Sequence, residues 1–114
     1  MKLRLPIALL LVVCSSLAFA FSHKQRARGA AVFEVNGCQH CHTIHHVGGH
    51  KGPDLSGVGR RRSKTEIQRQ IVYGGKGMPA FGQVLEPDEI SDLIVYLHAC
   101  RERPSKTAVQ VGSK

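Results

Sequence analysis

Apolar residues recur at helical spacing near the end of the chain, where Ile90, Leu93, Ile94 and Leu97 stand at i, i+3, i+4 and i+7. This spacing gives one face of an amphipathic helix. We expect that helix to begin near Pro87, because proline suits the first helical turn. No stretch shows the alternation of apolar and polar residues that indicates a half-buried strand. The pattern predicts an all-α protein.

Two earlier segments also predict helices. Residues 25–35 mix alanine and valine with charged residues, which is compatible with a first helix. Ser63 and Glu66 form a capping-box pattern that opens a further helix. We therefore expect three to four helices in all. Two glycine-punctuated segments between them are predicted as loops: residues 43–59 and 76–85.

The N-terminus has the pattern of a secretory signal. Lys2 and Arg4 form a basic start, residues 7–13 form an apolar core, and an AxA cleavage pattern ends at Ala20. An uncleaved membrane anchor is the alternative, although the apolar stretch is interrupted and marginal for spanning ~30 Å of hydrocarbon. The expected organisation is a signal peptide at 1–20, one small domain at 21–100 and a polar tail at 101–114.

Residues 38–42 read Cys-Gln-His-Cys-His, a CxxCH pentapeptide typical of covalent c-type haem attachment. Each thiol, Cys38 and Cys41, can add across one haem vinyl group, and His42 can bind the iron as proximal ligand. CxxC also occurs in zinc sites and in thioredoxin-like redox motifs. However, the chain has no second ligand pair at zinc-site spacing, and no strand run precedes the cysteines. The motif therefore favours one covalent haem c.

Met78 is the candidate distal ligand. It is the one methionine after the leader, and it lies between glycine and proline in a loop rather than on an apolar helix face. Methionine paired with histidine raises the reduction potential of haem relative to two histidines. The rival histidines follow His42 so closely that reaching the opposite haem face would demand a long detour, so we expect them to be solvated loop residues: His45, His46 and His50.

Four sequence elements follow one another in an order that resembles class I cytochrome c: CxxCH at 38–42, Gly-Pro-Asp-Leu at 52–55, Gly-Met-Pro-Ala-Phe at 77–81, and a last helix with Leu93 and Tyr96. The chain is similar to the short bacterial members with one haem and His/Met ligation. The resemblance covers roughly residues 29–97. It implies a small class I cytochrome c fold, in which helices and loops wrap around one covalently bound haem.

The resemblance also implies a role for each matching residue. Cys38 and Cys41 would hold the haem, and His42 and Met78 would be the axial ligands of the iron. The carbonyl of Pro53 would accept a hydrogen bond from His42, which orients the ring and raises its basicity as a ligand. The family further implies that the first and last helices cross through small and aromatic residues: Gly29 and Phe33 against Leu93 and Tyr96.

A haem with two protein ligands gains and loses an electron without changing its coordination. The expected function is therefore electron transfer between respiratory redox partners, and no acid–base pair or substrate pocket suggests an enzyme. The alternative is a haem peroxidase or gas sensor in which Met78 is absent from the iron or leaves it easily.

The chain is basic, with a formal net charge of +8, or +6 once Lys2 and Arg4 leave with the leader. Several basic residues near the haem loops are expected to form a rim that steers the protein to acidic partners; a solvated charged face is the alternative. They are Arg60, Arg61, Arg62, Lys64 and Lys76. We expect a periplasmic monomer whose partner is a membrane oxidase, a cytochrome complex or a periplasmic dehydrogenase. Nucleic acid and small-molecule substrates are not expected.

Cys100 stands at i+3 from Leu97 and i+7 from Leu93, which places it on the apolar stripe of the last helix. We expect a buried free thiol. An intermolecular disulfide is the alternative for an odd cysteine in an exported protein.

Overall fold

The computed structural model describes residues 4–104. Within them the regular secondary structure is helical apart from one small hairpin, so the predicted all-α fold is confirmed. The elements follow one another in this order: α1 (Arg4–Val35), a 3₁₀ turn (Cys38–His40), β1 (Thr43–Ile44), β2 (Val47–Gly48), α2 (Val58–Arg61), α3 (Lys64–Tyr73) and α4 (Pro87–Ala99).

The crossing of α1 and α4 is the central contact of the fold. At Gly29 a Cβ atom would overlap the carbonyl oxygen of Asp92 and lie 2.6 Å from the Cβ of Tyr96. Only glycine lets the two helices approach this closely. One turn later, the rings of Phe33 and Tyr96 meet edge to face, with centroids 5.9 Å apart and planes inclined by 60°. The expected contact of small and aromatic residues between the first and last helices is confirmed.

An ion pair links α1 and α4 at the same crossing. The Arg28 guanidinium donates to both carboxylate oxygens of Asp92, at 2.8 Å from Nε and 3.2 Å from Nη2. This bidentate geometry holds the pKa of Asp92 below its ordinary value, because the hydrogen bonds favour the ionised carboxylate. Asp92 is buried, so the pair ties α1 to the apolar face of α4 without leaving its carboxylate unpaired.

The starts of α3 and α4 follow their sequence signals. Ser63 Oγ accepts from the backbone N–H of Glu66 at 3.2 Å, and Glu66 Oε2 accepts from the backbone N–H of Ser63 at 2.8 Å, so the predicted capping box is confirmed. The last helix begins at Pro87 as predicted. The apolar faces of the two helices meet in the core: Ile67 and Ile71 of α3 with Leu93, Ile94 and Leu97 of α4.

The first helix is longer than predicted. The expected helix at 25–35 is the final part of a 32-residue helix that begins at Arg4. Its only proline, Pro6, lies in the first turn, and Gly29 is its only glycine, so nothing interrupts the helix between the leader and the domain. By length and composition α1 can cross a membrane, and its apolar residues before Phe21 are exposed. Lys2 of the predicted signal lies outside the described residues.

The segment predicted as the loop 43–59 contains short regular elements. β1 and β2 pair in antiparallel fashion around a two-residue turn, in which His45 and His46 have positive φ angles of 49° and 66°. The four-residue α2 packs on the end of α4, where Gly59 N–H donates to the carbonyl of Cys100 at 2.9 Å. Elements of two to four residues are too short to show a period in the sequence.

The chain stays attached to the domain just beyond α4. Arg101 donates to the Gly59 carbonyl at 2.6 Å, and Glu102 N–H donates to the Ser56 carbonyl at 2.9 Å. Residues 105–114 of the predicted tail lie outside the described residues. Cys100 is 6% exposed, which confirms its predicted burial, and that burial raises the pKa of its thiol.

We predict that Gly29→Ala destabilises the protein, although alanine is the better helix former by about 1 kcal/mol. The added methyl group has no space between the helices, so the free energy of unfolding of the holoprotein should fall by about 1–3 kcal/mol in denaturant titrations followed by circular dichroism. The matched control is Ala27→Gly at an exposed position of α1, which should cost only the propensity difference. A Gly29→Ala protein as stable as wild type would contradict the close approach.

Candidate haem site

The CxxCH motif forms a tight turn directly after α1. Gly37 takes a left-handed conformation, with φ of 71°, and redirects the chain into the 3₁₀ turn. The carbonyl of Cys38 then accepts from the N–H of Cys41 at 3.2 Å and of His42 at 3.0 Å. The two thiols are unbridged; Cys38 is half-buried, which raises its pKa, and Cys41 is exposed. The turn thus brings two thiols and one imidazole onto a single bend of the backbone.

His42 is buried and held by the following loop. Its Nδ1 lies 2.9 Å from the carbonyl oxygen of Pro53, so Nδ1 carries the hydrogen and Nε2 is left to bind another group. Gly52 lies against the imidazole ring, because a Cβ at this position would come within 2.6 Å of His42 Cε1. Gly52 N–H also donates to the carbonyl of Cys41 at 2.7 Å. The loop therefore sets both the tautomer and the orientation of the ring.

Met78 ends a tight turn that follows α3. Lys76 and Gly77 have positive φ angles of 55° and 86°, as in a type I′ turn. Gly75 and Met78 exchange backbone hydrogen bonds across it, at 2.9 and 3.1 Å. The chain then returns to α3, where Phe81 N–H donates to the carbonyl of Ile71 at 2.9 Å. The backbone that carries Met78 is thereby fixed on both sides.

Both candidate axial ligands line one apolar cavity. Apart from His42, the thiol of Cys38 and the thioether of Met78, its walls are hydrocarbon side chains from α1, α3, α4 and the loops. The lining residues are Phe33, Cys38, His42, Leu55, Ile71, Met78, Phe81, Leu85, Leu93 and Leu97. Cys41 does not line the cavity but is the neighbour of His42 in the sequence. Pro53 does not line it either, and it influences the site through the hydrogen bond that its carbonyl accepts from His42.

The donor set of this cavity fits haem c. Two thiols suit thioether attachment, imidazole and thioether suit the two axial positions of iron, and apolar walls suit the faces of a flat macrocycle. The absence of a side chain at Gly52 lets the following loop lie directly against the His42 ring, where a Cβ would come within 2.6 Å of Cε1 and 2.8 Å of Nδ1. Zinc would prefer four ligands in tetrahedral array, and the described residues contain no group of three or more histidine, cysteine or acidic side chains placed to hold a metal.

Sequence reasoning did not assign the cavity walls or one polar neighbour of Met78. Leu55, Phe81 and Leu85 come from loops, where no periodicity marks a buried side chain. Gln70 places its Nε2 at 3.7 Å from Met78 Sδ. No local motif identifies this contact, since it depends on how the loop returns after α3.

The rival histidines lie away from the cavity. His45 and His46 form the tip of the β-hairpin and are exposed, as is His50. His45 Nδ1 lies 2.8 Å from Glu102 Oε2, and His50 Nδ1 lies 3.3 Å from Thr43 Oγ1. Their exposed loop positions agree with the sequence prediction.

Basic residues border the loops of the site. Arg60, Arg61 and Arg62 are exposed in and after α2, and Arg61 Nη2 donates to the carbonyl of Asp54, next to Pro53. Lys76 is exposed at the turn before Met78. Positive charge therefore lies beside both the His42 loop and the Met78 loop.

Known proteins resemble this chain over the region that contains the site. The family model described as cytochrome c oxidase, cbb3-type, subunit III matches residues 24–97. A cytochrome c-553-like protein of Synechocystis sp. is 44% identical over 71 residues, which cover 61% of this chain and 64% of that protein. A cytochrome bc1 complex cytochrome c subunit of Corynebacterium diphtheriae is 31% identical over 88 residues, which cover 75% of this chain and 31% of that protein. No solved structure gives a significant match.

The matched region runs from the second half of α1 through most of α4 and includes the whole candidate site. The chain spans just under two thirds of the length of the first relative and under one third of the second. The chain thus belongs to the family of cytochrome c oxidase, cbb3-type, subunit III, and is a small monohaem class I cytochrome c with covalently bound haem c.

Proposed function

We propose that this protein is a periplasmic electron carrier between respiratory redox partners. In this proposal Cys38 and Cys41 form the thioether bonds, and His42 and Met78 are the axial ligands. The observation that carries the proposal is that Cys38 and His42, from one turn, and Met78, from a distant loop, line one apolar cavity.

The residues of the site are arranged for rapid electron transfer. When bound, haem iron alternates between ferric and ferrous states. The Pro53 carbonyl holds the His42 ring in one orientation, and the turn at Gly75 holds the backbone of Met78. Side chains that are already in place need little rearrangement when the charge at the site changes. The hydrocarbon walls disfavour the additional positive charge of the ferric state, and with the methionine they raise the reduction potential.

Acid–base catalysis at this site is not favoured. In the part of the chain that the structure describes, the only titratable side chains lining the cavity are Cys38 and His42, and both are assigned to holding the haem. Peroxide cleavage needs a general acid or base beside the open face of the iron, whereas the other cavity walls near Met78 are hydrocarbon side chains. This favours an electron carrier over the peroxidase alternative.

We propose export through the N-terminal segment, with cleavage after Ala20. The basic start, apolar core and AxA pattern support a signal peptide, and the exposed apolar part of α1 has no partner within the domain. Retention of this helix as a membrane anchor is the alternative, because its length and composition suffice to cross a bilayer.

The proposed partners are redox proteins with acidic docking surfaces, such as a membrane oxidase, a cytochrome complex or a periplasmic dehydrogenase. The basic residues beside both ligand loops support this choice, since complementary charge steers association. The matching family is named for an oxidase subunit, and one relative is named as a subunit of the bc1 complex. We propose that the protein acts as a monomer and binds no nucleic acid.

We predict that the ferric holoprotein shows the weak far-red band of iron bonded to methionine sulfur and that Met78→Ala abolishes it. Loss of the thioether opens one axial position, so the reduced variant should also bind carbon monoxide, unlike wild type. His50→Ala is the control and should leave the band intact, because His50 lies outside the cavity. A wild-type protein without the band that binds carbon monoxide readily would favour the sensor or peroxidase alternative.

We predict that basic residues near α2 accelerate reactions with anionic oxidants. Stopped-flow oxidation of the ferrous protein by hexacyanoferrate should slow by on the order of twofold or more at low ionic strength in an Arg60→Gln/Arg62→Gln variant. Oxidation of the same variant by the tris(phenanthroline)cobalt cation should instead be faster than oxidation of the wild type, because a cationic oxidant is repelled less. The control, Lys24→Gln/Arg26→Gln, removes the same charge from exposed positions of α1. Equal effects of the two double variants would show that net charge alone governs the rate.

We predict that the exported holoprotein begins at Phe21. Intact mass spectrometry of the periplasmic fraction should give the mass of the chain without residues 1–20, plus one haem. Replacing both alanines of the AxA pattern, Ala18→Leu with Ala20→Leu, should block processing and move the protein to the membrane fraction. Recovery of the wild-type chain at full length from membranes would instead identify α1 as a retained anchor.

A further inference from the structure

Glu102 follows α4 and contacts two segments of the domain at once. Its backbone N–H donates to the carbonyl of Ser56 at 2.9 Å, and its carboxylate Oε2 lies 2.8 Å from Nδ1 of His45. Ser56 belongs to the segment that begins at Pro53, whose carbonyl binds the His42 ring. His45 belongs to the hairpin that follows His42 directly in the chain. Glu102 therefore bridges the segment after His42 and the segment that binds its ring.

The two segments meet at Ser56, which is buried and bonded through three of its groups. Its Oγ accepts from the backbone N–H of His45 at 2.9 Å, its own N–H donates to Asp54 Oδ1 at 2.8 Å, and its carbonyl accepts from Glu102. Asp54 is the neighbour of Pro53 in the sequence. An unbroken chain of hydrogen bonds thus runs from Glu102 to the residue beside the Pro53 carbonyl.

The backbone of residues 100–102 lies directly against residues 56–59. A Cβ at Gly57 would come within 2.5 Å of the Glu102 carbonyl oxygen, so only a residue without a side chain permits this approach. Gly59 N–H donates to the Cys100 carbonyl at 2.9 Å, and Arg101 Nη1 donates to the Gly59 carbonyl at 2.6 Å. The contact at Glu102 is therefore the last of a series that holds the segment in place.

The position of the Pro53 carbonyl matters for the chemistry of His42. Donation from Nδ1–H to a carbonyl increases the electron density that the imidazole gives to a metal through Nε2. A richer donor favours the ferric state over the ferrous state. The strength of such a hydrogen bond depends steeply on its length and angle. A group that fixes the carbonyl therefore influences the reduction potential without touching the iron.

We infer that Glu102 is a positioning residue for His42. Its backbone N–H holds the loop at Ser56, keeps the Pro53 carbonyl at bonding distance from the ring, and so lowers the reduction potential of the haem. This inference rests on the proposed role of His42 as axial ligand. It adds a residue beyond α4 that does not line the cavity and acts through the loop.

The test compares two variants of the holoprotein, Glu102→Pro and Glu102→Gln. Both remove the carboxylate charge, but only proline removes the N–H that donates to Ser56. Glutamine is the matched control, because it keeps this donor and an oxygen that can accept from His45. In a redox titration at a fixed ambient potential, the ratio of ferrous to ferric protein should be about two- to tenfold higher in Glu102→Pro than in Glu102→Gln, as expected for weakening of one hydrogen bond.

The hydrogen on Nδ1 of His42 provides a second readout at the ligand itself. Proton NMR of the ferrous protein with ¹⁵N-labelled histidine measures how fast this hydrogen exchanges with solvent. Exchange should be slow in the wild type, where His42 is buried and bonded, and about two- to tenfold faster in Glu102→Pro than in Glu102→Gln.

A variant without a charge change covers the case in which Glu102→Pro does not accumulate as a holoprotein. Ser56→Ala removes the oxygen that accepts from the His45 N–H and leaves the charge of the protein unchanged. Compared with wild type, it should shift the ratio and the exchange rate in the same directions. Thermal melting of each variant separates loss of stability from a change at the ligand.

Two results would overturn the inference in different ways. A Glu102→Pro protein with the potential and the exchange rate of Glu102→Gln would refute the role of Glu102, even if its melting temperature fell, and would leave ligation by His42 intact. Assignment of the axial imidazole signals of the wild-type protein to another histidine would refute ligation by His42, and with it the role of Glu102. A higher ratio and faster exchange in Glu102→Pro, with the exchange rate of Glu102→Gln close to that of wild type, support the inference.

Discussion

The close approach of α1 and α4 at Gly29 is the contact on which the rest of the structure depends. With no Cβ at this position, the backbone of α1 reaches the carbonyl of Asp92 on α4. The helix that crosses here leads directly into the turn that carries Cys38, and its partner supplies Leu93 and Leu97 to the cavity. The depth of the crossing therefore governs how closely the attachment motif sits against the cavity wall. A substitution at Gly29 would therefore alter the geometry of the site, although Gly29 itself does not line the cavity.

The candidate ligands are supported by backbone groups rather than by charged side chains. The Pro53 carbonyl holds His42, and a pair of main-chain hydrogen bonds with Gly75 holds the turn of Met78. These supports lie at the edge of the cavity, so its interior stays hydrocarbon. No carboxylate lines the cavity in the described residues, so the charge of an iron there would be met by low-polarity walls. The basic residues lie outside the cavity at exposed positions, so charge and apolar surface occupy different parts of the molecule.

Sequence patterns predicted the features whose signal is contained in a few neighbouring residues. The capping box at Ser63, the helical period from Ile90 onwards and the CxxCH motif are of this kind. The β-hairpin and α2 were missed because they have too few residues to show a period. The burial of Leu85 and the contact of Gln70 with Met78 were missed for another reason: both arise from the path of the loop after Gly74, which depends on long-range packing. The resemblance to class I cytochromes c predicted the contact of Gly29 with α4, which periodicity alone does not show.

Because α1 is one continuous helix, removal of the signal peptide would change the structure at the start of the mature chain. Cleavage after Ala20 would cut the helix within a regular turn, leaving residues 21–35, about 22 Å of helix at 1.5 Å per residue. The first four N–H groups of the shortened helix would lose their carbonyl partners, and a new α-amino charge would stand at the positive end of the helix dipole. Gln25, whose Nε2 lies 3.5 Å from Ser91 Oγ, is hydrogen-bonded to α4 about one turn beyond the cut. The mature protein would thus begin with about one turn of helix that unwinds readily, whereas an uncut chain would carry the same turn as a stiff stalk between bilayer and domain.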